Sequence, residues 1–179
     1  MTKRATAIAF ALAATAAAAN WPHWRGPFFN GSTDETNLPA TWSKTDNVLW
    51  VARMPGPGSS TPIVWGERVF LTSLNQTRDA SLALCVDARS GKILWSTKVA
   101  PNRRFLGGNT PVSPSAVTDG RLVVFLFGTG HLAAFDFEGK ELWKRNLEDD
   151  FGPLVVKYGY SSSPTLFRGK LYVQIMQNK

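Results

Sequence analysis

Residues 84–95 read LCVDARSGKILW, and residues 133–143 repeat the pattern as AAFDFEGKELW, with one residue fewer in the middle. Each copy has an apolar stretch, an Asp, a short segment ending in Gly, a second extended stretch and a Trp. Trp95 and Trp143 stand 48 positions apart. Upstream, residues 47–50 read NVLW and match the end of the pattern, with Trp50 45 positions before Trp95. The spacing predicts a structural repeat.

A second pattern recurs between these copies. It is a Ser/Thr/Pro cluster, an extended apolar stretch, a turn and a dense apolar stretch. It appears as STPIVWGERVFL at 60–71, SPSAVTDGRLVV at 113–124 and SSPTLFRGKLYV at 162–173. Its anchor residues Pro62, Ser115 and Pro164 are spaced 53 and 49 positions apart. Two independent patterns with similar spacing indicate a true repeat.

Each period contains four short runs rich in Val, Leu, Ile and Phe, separated by turn residues, as β-strands require. The predicted strands are 61–64, 68–73, 81–87 and 92–98, followed by 115–118, 121–127, 131–136 and 141–146. Beyond the N-terminal segment, no sustained helical period appears. Four antiparallel strands per period are typical of propeller blades, whereas a β-sandwich does not require its turns and aromatics to recur regularly. We predict an all-β fold, a β-propeller of four-stranded antiparallel blades.

The recurring Asp, Gly and Trp have structural roles in this prediction. An Asp side chain before a tight turn accepts hydrogen bonds from nearby backbone N–H groups, and Gly supplies the positive φ of the turn. A large flat side chain at the same place in each blade fills the wedge between neighbouring sheets. The structural repeat motif comprises Asp87, Gly91, Trp95, Asp136, Gly139, Trp143 and Trp50. A polar site formed by the two Asp residues is the functional alternative.

The run Asp87–Trp95 resembles the tryptophan-docking motif of pyrroloquinoline-quinone-type (PQQ-type) propellers, and 136–143 is a shorter version. The stretches 21–27 (WPHWRGP), 61–70 and 159–164 are similar to parts of secreted bacterial proteins with PQQ-like repeats. The resemblance implies a propeller, and the family contains quinoprotein dehydrogenases as well as a scaffold of the outer-membrane assembly machinery. The dehydrogenases carry neighbouring Cys residues and a calcium ion, whereas Cys85 stands alone here and is expected to be a core residue.

The repeat count predicts an incomplete ring. Counting from Trp50 gives about two and a half blades, whereas propellers close with about 4–8. Open apolar faces and strand edges favour aggregation. We expect the chain to be a fragment of a longer protein, with the remaining blades as its partners. Assembly of several chains into one ring is the alternative.

The first residues have the layout of a secretory signal peptide. Lys3 and Arg4 form a positive start, 5–16 is apolar, and small residues follow. The apolar run is too short for a good membrane span. We predict cleavage after Ala19, a periplasmic or secreted location and no membrane span in the mature chain. The predicted domains are the signal peptide 1–19, an N-terminal arm 20–49 and the partial propeller 50–179.

Composition excludes several functional classes. A single Cys rules out an intrachain disulfide framework, and two His 108 positions apart make a His-based metal site improbable. The net charge of +7 comes from scattered Lys and Arg, so we expect no nucleic-acid partner. His23 and His131 are interpreted as surface turn residues. We identify no catalytic residue and no metal ligand.

Two longer connections carry the candidate binding residues. Segments 101–114 and 148–163 each link the last strand of one blade to the first strand of the next, so both should emerge on one face of the ring. Such connections often form the binding surface of repeat proteins. The candidate residues on this face are Arg103, Arg104, Asn109, Tyr158 and Tyr160.

Three functions remain open. The leading hypothesis is a non-catalytic periplasmic or secreted binding or scaffold module with an unknown protein or glycan partner. The alternative, which the resemblance implies, is the N-terminal part of a PQQ-dependent oxidoreductase that would hold the quinone and calcium near the ring axis. The third is a glycan-binding propeller that uses the aromatic arm residues Trp21, Trp24, Phe28 and Phe29.

Overall fold

A computed structural model describes residues 19–106 and 109–177. Two four-stranded antiparallel sheets follow one another along the chain, each with its strands in sequence order. The first contains β1 (Ile63–Trp65), β2 (Arg68–Leu74), β3 (Ala80–Asp87) and β4 (Ile93–Pro101). The second contains β5 (Val117–Thr118), β6 (Val123–Leu126), β7 (His131–Phe135) and β8 (Glu141–Asn146). The pair β9 (Thr165–Phe167) and β10 (Lys170–Tyr172) begins a third. The predicted all-β fold of four-stranded antiparallel sheets is confirmed.

The first strand of each four-stranded sheet starts two residues later than the sequence predicts. The residue predicted to begin the strand donates its backbone N–H to the next sheet and not to the neighbouring strand. The N–H of Thr61 donates to Ser115 Oγ at 2.8 Å, and the N–H of Ser115 donates to Ser163 Oγ at 2.9 Å. The recurring Ser/Thr/Pro clusters therefore link the start of each sheet to the next sheet instead of extending the strand. Strands β5 and β9 approach each other beyond this point. The first strands of successive sheets thus form the inner side of the stack.

The second motif builds the same hairpin in both sheets. Asp87 Oδ1 accepts from the N–H of Ser90 at 2.7 Å, and Asp136 Oδ1 accepts from the N–H of Lys140 at 2.8 Å. Gly91 and Gly139 follow with φ of 72° and 91°, which L side chains rarely adopt. The register between the third and fourth strands also shifts at equivalent places, next to residues 85–86 and 134–135.

Each indole ring lies on the hairpin of the sheet that follows it. Trp50 Nε1 donates to the carbonyl of Ala88 at 2.8 Å, and Trp95 Nε1 donates to that of Phe137 at 3.0 Å. Both carbonyls belong to the residue after the turn Asp. A Cβ added at Gly91 would lie 2.6 Å from the Trp50 ring, and one at Gly139 would lie 2.7 Å from Trp95. The turn must therefore carry Gly for the ring to sit against it.

Trp143 stands at the equivalent position in the second sheet, and its side chain is 37% exposed. It lines an apolar groove of about 490 Å³ between the second sheet and the β9–β10 pair. Among the described residues, no Asp–Gly hairpin covers this ring.

Two clusters of buried side chains lie between the sheets. The first joins the first and second sheets and includes Phe70, Phe125, Phe135 and Cys85, all fully buried. The second joins the second sheet to β9 and β10 and includes Leu126. Burying a Phe side chain stabilises a fold by about 1.5–3 kcal/mol, so these contacts hold successive sheets face to face.

The N-terminal arm runs along the inner strands. Trp21 and Val64 exchange two backbone hydrogen bonds of 2.8 and 2.9 Å, which adds a residue pair to the free edge of β1. The carbonyl of Pro22 accepts from the N–H of Thr118 in the second sheet at 2.9 Å. The Phe29 ring then meets Phe167 of β9 edge-on, with centroids 6.4 Å apart. The arm therefore contacts all three sheets.

The described part of the chain contains one short helix that the sequence did not predict, α1 (Leu147–Phe151). The Asn146 side chain accepts from the N–H of Glu148, and the first turn carries three acidic residues, which favours a helix start. A helix of five residues is too short to show a sustained hydrophobic period, so its presence agrees with the absence of such a period in the sequence.

The predicted signal peptide lies outside the described residues except for Ala19. Among the described residues, no helix has both the length and the apolar character that crossing a bilayer requires.

Candidate functional site

The described parts of the two inter-sheet segments, residues 101–106 with 109–114 and residues 148–163, lie together and form one surface, here called the loop face. One link between them is a two-fold ion pair, in which Arg103 donates to the two carboxylate oxygens of Glu148 at 2.8 and 2.7 Å. This hydrogen bonding to Arg103 is the main reason that the pKa of Glu148 lies below its ordinary value, and it raises the pKa of Arg103. Arg103 therefore holds the two segments together.

Glu148 connects this ion pair to the helix. Its Oε1 also accepts from the N–H of Leu154 at 3.1 Å, and its own N–H donates to Asn146 Oδ1 at 3.2 Å. One carboxylate thus fixes both the start of α1 and the segment after it. The sequence analysis missed Glu148, since its partner is 45 positions away and no local pattern marks it.

Two further contacts join the segments. Asn109 Nδ2 donates to the carbonyl of Tyr158 at 2.6 Å. The Phe105 ring lies against Gly159, where an added Cβ would be 2.8 Å from the ring and φ is +87°. Asn109 and Phe105 therefore fix the position of the turn that carries Tyr158.

The Tyr160 side chain is buried beneath the loop face, whereas the sequence analysis expected it to be exposed for binding. It is 3% exposed, packs in the second buried cluster and donates its hydroxyl hydrogen to the carbonyl of Gln174. Burial raises the pKa of its hydroxyl. A Tyr in a connection is indistinguishable by sequence from one that turns inward, so the sequence could not show this burial, and a binding role for Tyr160 stays an untested prediction.

The side chains that the loop face presents to solvent are cationic, aliphatic and aromatic. Arg104 is exposed, Leu106 is 60% exposed and Tyr158 is 57% exposed. The Lys157 ammonium lies 5.5 Å from the centre of the Tyr158 ring. These groups are available for contact with another molecule.

A cleft of about 240 Å³ opens beside Arg104. Asn102 and Thr110 line it, and Asn102 Oδ1 and Thr110 Oγ1 are buried without a hydrogen-bond partner among the described residues. The Asn102 side chain is oriented by its Nδ2, which donates to the carbonyl of Arg78 at 2.7 Å. Buried polar atoms normally have partners, so this cleft suits a small polar group.

The arm differs from the sequence interpretation at two residues. His23 is buried rather than on the surface, with 5% exposure, and burial lowers its pKa. Trp21 packs on Gly26 and is paired with β1, so it is not a free platform for a sugar. Trp24 and Phe28 are each 48% exposed. Phe29 is 44% exposed, and the glycan hypothesis stays a prediction that depends on these three rings.

Two other reactive groups are Cys85 and His131, of which His131 lies close enough to Glu148 of the loop face for their charges to interact. Cys85 lies in the core of the first sheet, and burial raises the pKa of its thiol to about 12. His131 is half-buried, with its Nδ1 3.0 Å from Thr129 Oγ1. Across residues 19–106 and 109–177, no three His, Cys, Asp or Glu side chains converge into a set that could hold a metal ion.

The repeated hairpins, the indole contacts and the four-stranded sheets agree with a sequence comparison. The family model PQQ_2, described as "Outer membrane protein assembly factor BamB", matches residues 28–173. The chain belongs to the PQQ_2 family. The predicted resemblance to PQQ-like repeat proteins is therefore confirmed.

Two individual proteins are similar to this PQQ_2 chain. A polyvinylalcohol dehydrogenase from Pseudomonas sp is 27% identical over 129 residues, which are 72% of this chain and 18% of that protein. The solved quinohemoprotein alcohol dehydrogenase from Comamonas testosteroni superposes with a TM-score of 0.46 at 18% identity, over 65% of this chain and 17% of that one. The chain thus spans less than a fifth of the length of either protein.

Proposed function

We propose that the protein is an exported propeller module whose loop face binds a protein partner, without chemistry of its own in this segment. The observation that carries the proposal is the double link between the two inter-sheet segments, Arg103 to Glu148 and Asn109 to Tyr158. Loops fixed in advance lose less conformational freedom on binding, so more of the contact energy appears as affinity.

The exposed groups favour a protein as the partner. Tyr and Arg are enriched where protein interfaces have their strongest contacts, and an exposed aliphatic side chain adds apolar area beside them. Tyr158, Leu106 and Arg104 provide this combination on the loop face. The description of the family model, an assembly factor, is in keeping with a scaffold function.

The proposal also includes export to the periplasm and further propeller blades beyond those described. The positive start and apolar run of residues 3–16 support a leader and a periplasmic location. Further blades would place an Asp–Gly hairpin on Trp143, as Gly91 lies on Trp50 and Gly139 on Trp95. The exposed ring and its apolar groove support this arrangement.

Site-specific photocrosslinking tests the binding face. A photoreactive residue at Tyr158 should give one discrete adduct in cells that produce the protein, and mass spectrometry should identify its partner. The matched control position is Arg89, which pairs with Glu67 in the turns at the opposite ends of the strands. Equal adducts from both positions, or none from Tyr158, would refute a partner at the loop face. Arg104→Ala should weaken the Tyr158 adduct.

A quinone-dependent oxidoreductase is the second candidate, favoured by the similarity to polyvinylalcohol dehydrogenase. Under this candidate, the cleft beside Arg104 is where part of such a cofactor would bind. The guanidinium would hold a carboxylate of the quinone, and Asn102 Oδ1 and Thr110 Oγ1 would bond its polar atoms. The quinone, when bound, would supply the redox chemistry. We assign no residue of this chain to the calcium ion.

Titration with PQQ and calcium separates the two candidates. The protein should be purified from its own coding sequence, with every blade that sequence encodes. Tight binding accompanied by alcohol-dependent dye reduction would favour the oxidoreductase and overturn the non-catalytic proposal. Arg104→Ala should then weaken quinone binding, whereas Arg89→Ala should not.

A further inference from the structure

Residues 48–53 (VLWVAR), here called the edge segment, lie against the first sheet but belong to no sheet among the described residues. No backbone hydrogen bond joins these six residues to any other described residue. The side chains of Leu49 and Val51 are 80% and 85% exposed. Unpaired backbone groups beside exposed apolar side chains are typical of a strand that another strand covers.

The contact made by Trp50 shows where the edge segment stands in the stack of sheets. Its Nε1 donates to the carbonyl of Ala88, in the hairpin of the first sheet, at 2.8 Å. Trp95 donates to the carbonyl of Phe137, in the hairpin of the second sheet, at 3.0 Å. Trp95 makes its contact from β4, the fourth strand of the preceding sheet. Trp50 therefore stands where the fourth strand of a sheet before the first would lie.

The chain also leaves the edge segment as it leaves a fourth strand. After the edge segment, the carbonyl of Pro57 accepts from the N–H of Leu74, at the end of β2, at 2.9 Å. After β4, the carbonyl of Pro111 accepts from the N–H of Gly128, just after β6, at 2.7 Å. In both cases the chain passes the end of the second strand before it forms the first. The edge segment thus leads into the first sheet as β4 leads into the second.

The edge segment is held in position at both ends. Before it, Asn47 has a φ of +55°, and its Nδ2 donates to the carbonyl of Thr41 at 2.8 Å. After it, the N–H of Gly56 donates to Ser73 Oγ of β2 at 3.1 Å. A strand fixed in advance loses less conformational freedom when it pairs.

We propose that the edge segment is the fourth strand of the last sheet of the ring, and that the final repeat of the same chain supplies the other three strands. This inference rests on the further blades of the proposed function. Successive sheets follow one another in chain order, so in a closed ring the sheet before the first is the last one. Their pairing would close the ring by backbone hydrogen bonds.

The register of the two complete sheets predicts the strand that pairs with the edge segment. Trp95 lies opposite Cys85, and Trp143 lies opposite Ala134. Both partners are small and fully buried, and an apolar residue follows each of them. The third strand of the final repeat should therefore place a small residue opposite Trp50, with an apolar residue next.

Photocrosslinking tests the pairing in the protein made from its full coding sequence. A photoreactive residue at Val51 should give an adduct within one chain, to the peptide that carries the third strand of the final repeat. The matched control is Ser96, the equivalent position of β4, whose adduct should map to β3 near Leu84. An adduct from Val51 to a second chain or to another repeat would overturn the inference, as would no adduct while Ser96 reacts. Each of these results leaves the proposal for the loop face intact.

Hydrogen exchange gives a second measurement that needs no substitution. Alternate residues of a paired edge strand are hydrogen-bonded, so about half of the amides of 48–53 should exchange as slowly as the bonded amides of β4. Fast exchange throughout the edge segment, while β4 is protected, would overturn the inference. A coding sequence without further repeats would overturn both this inference and the further blades on which it rests.

Discussion

Replacing Gly91 by Ala should destabilise the protein more than the same change at Gly169. Both glycines have φ of +72°, so the strain of an L residue there, about 1–2 kcal/mol, is common to both. They differ in their surroundings. A Cβ at Gly91 would be 2.6 Å from the Trp50 ring, whereas nothing lies within 4 Å at Gly169. Only the first substitution must displace an indole.

The magnitude follows from what Trp50 would lose. Its Nε1 bond to the carbonyl of Ala88, 2.8 Å long, contributes about 1 kcal/mol, and separating a half-buried ring from the turn costs about as much again. The free energy of unfolding should therefore fall about 2 kcal/mol further for Gly91→Ala than for Gly169→Ala. In urea, this difference corresponds to a midpoint lower by about 1 M.

A double-mutant cycle with Trp50→Ala shows whether the ring is the cause. Without the indole, Gly91→Ala should cost no more than Gly169→Ala, which gives a coupling energy of about 2 kcal/mol. Equal destabilisation by Gly91→Ala and Gly169→Ala in the wild-type background, or additive effects in the cycle, would refute the reasoning.

Three further results are expected. Because Arg103 lowers the pKa of Glu148, their pairing stabilises the loop face above the ordinary Glu pKa and is lost as the pH falls through the lowered value. Hydrogen exchange of the Leu154 amide should therefore accelerate, beyond the intrinsic rate, only as the pH falls below the ordinary Glu pKa, and Glu148→Gln should remove this dependence. Cys85 should react with a thiol reagent only as fast as the protein opens, because its thiol is buried and its pKa is raised to about 12; rapid labelling of folded protein would contradict its place in the core. Trp21→Ala should expose the Val64 and Thr118 amides to exchange, whereas Trp24→Ala, at an exposed ring three positions away, should not; equal effects would show that the arm is held by other contacts.

The repeat could be predicted because its interactions are local or periodic. Asp87 and Gly91 form their turn within a few residues, and the Trp appears once per period, so each contact leaves a visible pattern. The first strands were predicted two residues too early, since Thr61 and Ser115 use their amides between sheets rather than along the strand. Periodicity reveals where a motif recurs but not which neighbour its backbone will bond.

The loop face was predictable as a location but not as an arrangement. Its segments could be placed on one side because both join the end of one sheet to the start of the next. Arg103 pairs with Glu148, and Tyr160 is buried in the core. Both outcomes depend on contacts between residues that are distant in the sequence, and such contacts leave no local sequence pattern. The same holds for the arm, where His23 is buried and its ring lies 4.0 Å from that of Phe29.

The contact between Trp95 and the hairpin of the second sheet is the central claim, and proton NMR measures it directly. Cross-peaks should connect the Trp95 ring protons to the α protons of Gly139, and those α protons should be shifted upfield by the ring current. The Trp95 indole N–H should exchange slowly, because it is bonded to the carbonyl of Phe137 at 3.0 Å. Ordinary Gly139 shifts, no cross-peaks and a rapidly exchanging indole would contradict the stacking of successive sheets described above.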